Sequence, residues 1–216
     1  MQLHWHRRNL RARRNPALST ALTAAKDTEG RVVPLFVLDD AILSRADGLG
    51  VAFMLGSLHA LRDWYRDHGS DLVIQHGDPT DVVGRIAKTI EADRVVWNAD
   101  HSRLARGRDH AVQRDLDRSG IEYASVASGR PTEPTESVSF ADAEAFLADP
   151  TALSVETGTV PQLSELGEAA SDAAPLTAGT AAARKQLRAL SNGTTYRRCD
   201  DTGSNGTQRD TVVSWV

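Results

Sequence analysis

The sequence has a single cysteine, Cys199, so no disulfide can form within the chain, which suits a reducing compartment. No run of eighteen apolar residues occurs, and hydropathy therefore gives no α-helical membrane span. The N-terminal arginines are not followed by the apolar stretch of a secretory signal, so the expected location is the cytoplasm. Lysine occurs only at 26, 88 and 185, and aromatic residues make up 5% of the chain. There is no Walker-type phosphate loop, no Gly-x-Ser-x-Gly elbow and no zinc-ligand spacing, which removes three large classes of enzyme and binding module. Gly48-Leu49-Gly50 is a fragment of a dinucleotide fingerprint in the wrong place, before the second long helix, and reads as a loop and helix start.

What is present is arginine, aspartate and a regular alternation of apolar runs with amphipathic stretches over 216 residues of net charge −4. Gln2 to His6 reads as a strand, Pro16 to Lys26 as a helix capped by Asn15, and Val32 to Leu38 as a strand covered on both faces. Val51 to His68 carries an apolar stripe at helical spacing and stops at Gly69. Asp71 to His76 is a third strand, followed by a helix opened by Asp78 and Pro79. Arg94 to Asn98, a helix from Arg103 to Ser119, and Ile121 to Val126 complete a β-α-β-α-β-α-β-α-β order. The pattern predicts an α/β fold, a five-stranded doubly wound parallel sheet of Rossmann-like type over residues 1–126. Residues 127–180 are acidic and low in complexity and read as a linker, with a short amphipathic helix at Phe140 to Ala148. Residues 181–216 read as a poorly structured tail with one short helix, which Thr180 can cap.

In a sheet of this kind ligands bind beyond the carboxyl ends of the strands, where the strand order reverses. That places the basic loop Arg7-Arg8-Asn9-Leu10-Arg11 opposite Asn98-Ala99-Asp100-His101 if the first and fourth strands are neighbours. The loop is either a ligand site or a solvated turn whose arginines pair with surface acids. Trp97 is either a stacking platform or, more simply, core. His4 and His6 share one strand face, but without a neighbouring acid or cysteine the pair reads as structural.

Four segments in this order resemble the N-terminal α/β domain of the DNA photolyase/cryptochrome family. They are Trp5 to Arg11 with Asn15-Pro16-Ala17-Leu18; Val32 to Asp39; Gly69 to Ile74 with Gly77-Asp78-Pro79; and Val96 to Asp100 through Ala105-Arg106 to Arg108-Asp109. The resemblance implies light-driven repair of pyrimidine dimers in DNA by electron transfer from FAD, held in a helical domain that also binds the DNA. It implies a protein truncated early in that domain and inactive in repair by itself, with residues 181–198 as the first helix, Tyr196 at a position that touches FAD, and Thr207 in an altered Gly-Thr-Ser-Arg phosphate loop. The role left to the α/β part is to hold an antenna chromophore of deazaflavin or folate type near the sheet edge, at Phe36, Asp39 and Asp100, with Arg8 and Asn98 beside them. Asn9 and Arg14 stand where the family commonly has aspartate, and loss of those acids is expected to loosen the arginine-rich turn. Two other readings are a stand-alone Rossmann-like nucleotide-binding protein and a module that pairs with a separate helical flavoprotein.

Overall fold

The computed structural model describes residues 1–7, 9–127, 143–166 and 178–191, the last six by their backbone alone. Five strands, β1 (Gln2–His6), β2 (Val32–Leu38), β3 (Val73–His76), β4 (Arg94–Asn98) and β5 (Glu122–Val126), form one sheet in the order β3-β2-β1-β4-β5, every pair parallel. The order reverses between β1 and β4, so the loops after these two strands meet, as the sequence requires of a site at that point.

Helices α1 (Pro16–Asp27) and α3 (Gly48–Asp67) cover one face, with the four-residue α2 (Asp40–Leu43) ahead of α3. Helices α4 (Pro79–Thr89) and α5 (Arg103–Ser119) cover the other. Alternation sorts the strand side chains: Val32, Phe36, Leu38, Ile74 and Val96 pack towards α1 and α3, and Leu3, Trp5, Val33, Leu35, Val37, Val95 and Trp97 towards α4 and α5. Burial of β1 and β2 on both faces explains their unbroken apolar reading.

Side chains before each long helix of the sheet do the capping: Asn15 accepts from the Leu18 amide, Asp47 from Gly50, Asp78 from Thr80 and Ser102 from Ala105. Gly120 ends α5 in the left-handed region at φ 68°. Gly48 to Gly50 thus belong to the first turn of α3, three residues earlier than the apolar stripe suggests, because Asp47 supplies the cap. β3 starts at Val73 rather than Asp71, whose carboxylate turns to Arg62 and Arg66 of α3.

Pro34 lies mid-strand in β2 without loss. Val32 gives its carbonyl to the Ala148 amide, so by alternation Pro34 turns its nitrogen to the same side, one residue before pairing with β3 begins at Leu35.

Residues 143–166 fall inside the range that composition reads as linker, and they pack on the domain. Leu147 bridges Val32, and Ser70 Oγ donates to the Ala148 carbonyl at 2.5 Å. Ala143, Leu147, Ala148 and Val155 are buried, and the Ile74 amide donates to the Thr157 carbonyl. The segment so covers the open edge of β3. Of the helix expected at Phe140 to Ala148, a 3-10 turn at Ala143–Phe146 is found, and Phe140 to Asp142 lie outside the described residues. Helix α6 (Thr180–Ser191) follows, with Thr180 inside its first turn rather than at the cap.

Candidate functional site

The site is built where β1 and β4 end. Arg7, the residue after β1, is buried and gives Nε to the Asn98 carbonyl at 3.0 Å. Its two terminal nitrogens meet both carboxylate oxygens of Asp109 on α5, Nη2–Oδ2 at 2.9 Å. Burial lowers the pKa of Arg7 and raises that of Asp109, in each case against the attraction of the partner, so the pair is held at a desolvation cost. The first turn of the basic loop is therefore neither a solvated turn nor an open anion site. A buried carboxylate from α5 compensates Arg7.

A second ion pair closes the crevice beside it. Arg108 Nη1 lies 3.1 Å from Asp39 Oδ2, with the two side chains only 15% and 11% exposed. The guanidinium carbons of Arg7 and Arg108 both sit by the Trp5 ring, 5.3 and 5.4 Å from its centroid. Trp5 Nε1 and Arg108 Nε are buried without hydrogen-bond partners. The two unused donors belong to one arginine–indole contact, and a ligand bearing acceptors would satisfy such donors.

The loop itself is locked from below. Asn98, 1% exposed, donates Nδ2 to Asn15 Oδ1 at 2.8 Å and accepts from the Ala17 amide at 3.3 Å. Asn15 Nδ2 faces the carbonyls of Arg11 and Asn9 and, at 3.5 Å, His4 Nε2. His4 Nδ1 donates to the Val96 carbonyl at 3.1 Å. His6 Nδ1 donates to the Asn9 carbonyl at 3.2 Å, and the Tyr65 hydroxyl donates to His6 Nε2 at 2.7 Å. Carbonyl partners fix both rings as the neutral Nδ1–H tautomer. Burial, and for His4 also the neighbouring His6, lowers both pKa values, to about 4 for His6. The histidines are thus tied into a buried polar chain from β1 to α3, and among the described residues no group of three or more His, Cys, Asp or Glu could hold a metal ion.

Of the residues singled out in the sequence, the fold brings Asp39, Asn98 and Asp100 to the same end of the sheet. Phe36, 2% exposed, sits in the core under α1 and α3, beside His6 in register. Asp39 also caps α2 through the Ala41 amide, and half-buried Asp100 accepts from the Ser102 amide at 3.0 Å. Arg8, Tyr196 and Thr207 lie outside the described residues. Trp97 is core, tilted against Trp5 and stacked on Tyr123. Arg108 and Asp109 have no role in the sequence pattern by themselves; the signal for them is their position in the second turn of the helix that follows β4, facing the loop of β1.

The sequence profile described as DNA photolyase matches residues 2–146. The chain belongs to the DNA photolyase family. Among its photolyase relatives, the deoxyribodipyrimidine photo-lyase of Halobacterium salinarum is 40% identical over 229 residues, which cover 91% of this chain and 47% of that one. Cryptochrome-2 of Gallus gallus is 31% identical over 123 residues, 56% of this chain and 20% of that one. A solved photolyase from Sulfolobus tokodaii, described as holding two FAD molecules, superposes with TM-score 0.66 at 22% identity, covering 91% of this chain and 47% of that one. A class III photolyase from Agrobacterium tumefaciens gives TM-score 0.65 at 20% identity, over 89% and 44%. The chain spans about half the length of the photolyase it matches over most of its own length, at 47%. These similarities bear out the α/β domain of the photolyase/cryptochrome type, and no described helix is long and apolar enough to cross a membrane.

Proposed function

We propose that this chain is the chromophore-holding α/β part of a photolyase-type protein. The crevice at the carboxyl ends of β1, β2 and β4 takes a planar antenna chromophore of the deazaflavin or folate type. The observation that carries this is the Arg108–Asp39 pair over Trp5, with Trp5 Nε1 and Arg108 Nε left without acceptors. When bound, such a chromophore supplies the absorption of near-ultraviolet and blue light. The protein's part is to orient it and keep water away: Trp5 offers an apolar surface and Asp39, Asp100 and Arg108 the polar rim, while Phe36 and Arg8 are carried to the site by the resemblance alone. Asn98, fully engaged with Asn15 and Ala17, supports the rim from beneath rather than touching the ligand. Since Asp39 is paired already, entry of a ligand exchanges an internal ion pair for contacts of its own, and affinity is reduced by that cost.

Light-driven repair of pyrimidine dimers in DNA is, in this reading, the role of the full-length protein type. FAD there supplies the electron, and Tyr196 and Thr207, the positions the resemblance offers for it, lie outside the described residues. DNA is accordingly a partner of that larger assembly, and the cytoplasm its expected place.

Titration of the purified chain with a deazaflavin and with a reduced folate, followed by absorbance after gel filtration, tests the proposal. One equivalent retained by the wild type, and less by Arg108→Ala, supports it. Free elution of both compounds overturns it.

A further inference from the structure

A second concave region lies between the β1–α1 loop, the C-terminal half of α3 and the start of α6. Leu10 of the β1–α1 loop, Leu61 and Trp64 of α3 and the first turn of α6 enclose a cleft of about 250 Å³. Three arginines line it: Arg11 and Arg13 from the loop and Arg184 from α6, and no carboxylate does.

The other buried or half-buried arginines among the described residues are each matched by an acid: Arg7 by Asp109, Arg62 by Asp71, Arg94 by Glu122 and Arg108 by Asp39. Among the described residues the guanidiniums of Arg11, Arg13 and Arg184 have no ion-pair partner, and Arg11 Nε is buried without any hydrogen-bond acceptor. Three like charges converge on one concavity in a chain whose net charge is −4. Such an arrangement collects anions, and guanidinium forks suit phosphate oxygens best. Gly179 stands ahead of α6 and has no side chain to cap it. Its close fit to α3, where a Cβ would come 2.9 Å from Ala60, draws α6 in and closes the cleft on that side.

The apolar walls from Leu10, Ala60 and Leu61 have no use for a bare anion and suit the organic part of one. The volume, about 250 Å³, lies just below the usual span of small-molecule sites and leaves no room for a dinucleotide. We propose that this cleft is a second ligand site, which takes the phosphate monoester of a single small ring system, a mononucleotide in size and charge.

The same phosphate chemistry could come from free phosphate, a nucleotide or a DNA strand, and calorimetry on the full chain separates them. The probes are AMP, adenosine, inorganic phosphate and a short DNA duplex, against the wild type and an Arg13→Gln/Arg184→Gln double variant. Both replaced side chains are exposed, so the unliganded melting temperature is expected to stay unchanged. The proposal predicts that AMP binds, that adenosine and inorganic phosphate each bind at least about tenfold more weakly, and that the double variant loses about tenfold or more for AMP. It is overturned if AMP gives no saturable binding, if adenosine or phosphate alone matches it, if the double variant binds AMP as the wild type does, or if only the duplex responds to the substitutions.

Discussion

Arg7 and Asp109, 102 positions apart, form a two-point buried ion pair that joins the loop after β1 to α5 across the point where the strand order reverses. The same guanidinium holds the last carbonyl of β4, so one side chain fixes both loops of the candidate crevice. Arg108, the residue before Asp109, repeats the arrangement towards β2 through Asp39.

Removing one partner leaves a charge in a desolvated place. Asp109→Ala is expected to cost about 3–5 kcal/mol, by the usual penalty for breaking a buried pair. At about 2–4 °C per kcal/mol for a chain of this size, the melting temperature falls by roughly 6–20 °C. An Arg7→Met/Asp109→Leu double variant recovers much of the loss, because no charge is then stranded. Equal destabilisation of single and double variants would show that shape, not charge, holds the loop.

The buried histidines set an acid limit on stability. Both have folded pKa values below the ordinary 6.5, so the unfolded chain takes up protons first. Their contribution is complete above pH 6.5 and is lost as pH falls towards the folded values. For His6, whose folded value is about 4, the loss over that window is about 3 kcal/mol. Asp109, raised by burial, works in the opposite sense as pH falls through its folded value. Asp71 has its pKa raised by burial but lowered overall by Arg62 and Arg66, and it adds to the acid loss below the ordinary carboxylate range. Urea midpoints between pH 7.5 and 4.5 are expected to drop steadily, and imidazole NMR signals of His4 and His6 to keep the neutral Nδ1–H pattern while the fold persists. Protonation of either ring in the folded state near pH 6.5 contradicts the assignment.

Tyr65→Phe removes one hydroxyl and leaves His6 Nε2 buried without its donor. The expected cost is about 1–3 kcal/mol. In Tyr65→Phe the folded pKa of His6 is expected to remain low, since burial is its cause. Denaturant unfolding with an NMR titration checks both.

The order and type of the sheet's elements were legible because a parallel sheet covered on both faces writes each strand as an apolar run, and capping residues mark its helices. The partners inside the site were not. Arg7 reads as one arginine among five near the N-terminus, and nothing local shows that an acid on α5 will bury it. His4 and His6 read correctly as sharing a face and a structural role, but the hydroxyl that completes His6 comes from α3, 59 positions on. Phe36 is buried under α1 and α3, and Asn98 bonds Asn15 and the Ala17 amide, partners that nothing local in the sequence shows. Residues 143–157 read as linker because composition averages over the stretch, while packing needs only a handful of apolar residues, Ala143, Leu147, Ala148, Pro150 and Val155, and a few backbone hydrogen bonds.

That packing has its own test. Gly158 holds φ +63°, and a Cβ there would lie 2.1 Å from the Ile74 carbonyl oxygen. Gly158→Ala is expected to lift the segment from β3 at a cost of about 1–3 kcal/mol, exposing an edge strand. Faster proteolysis within 143–166 and a greater tendency to aggregate are the readouts. Unchanged cleavage contradicts a load on this contact.

The most direct test of the account is where a planar chromophore lands. With the indole N–H signals of the four tryptophans resolved by NMR, addition of a deazaflavin is expected to shift Trp5, whose buried Nε1 lacks an acceptor, and to leave Trp64, which lines the second cleft, unmoved. Arg108→Ala is expected to weaken that response. A shift at Trp64 alone, or none at any indole, would contradict a chromophore site at the carboxyl ends of β1, β2 and β4.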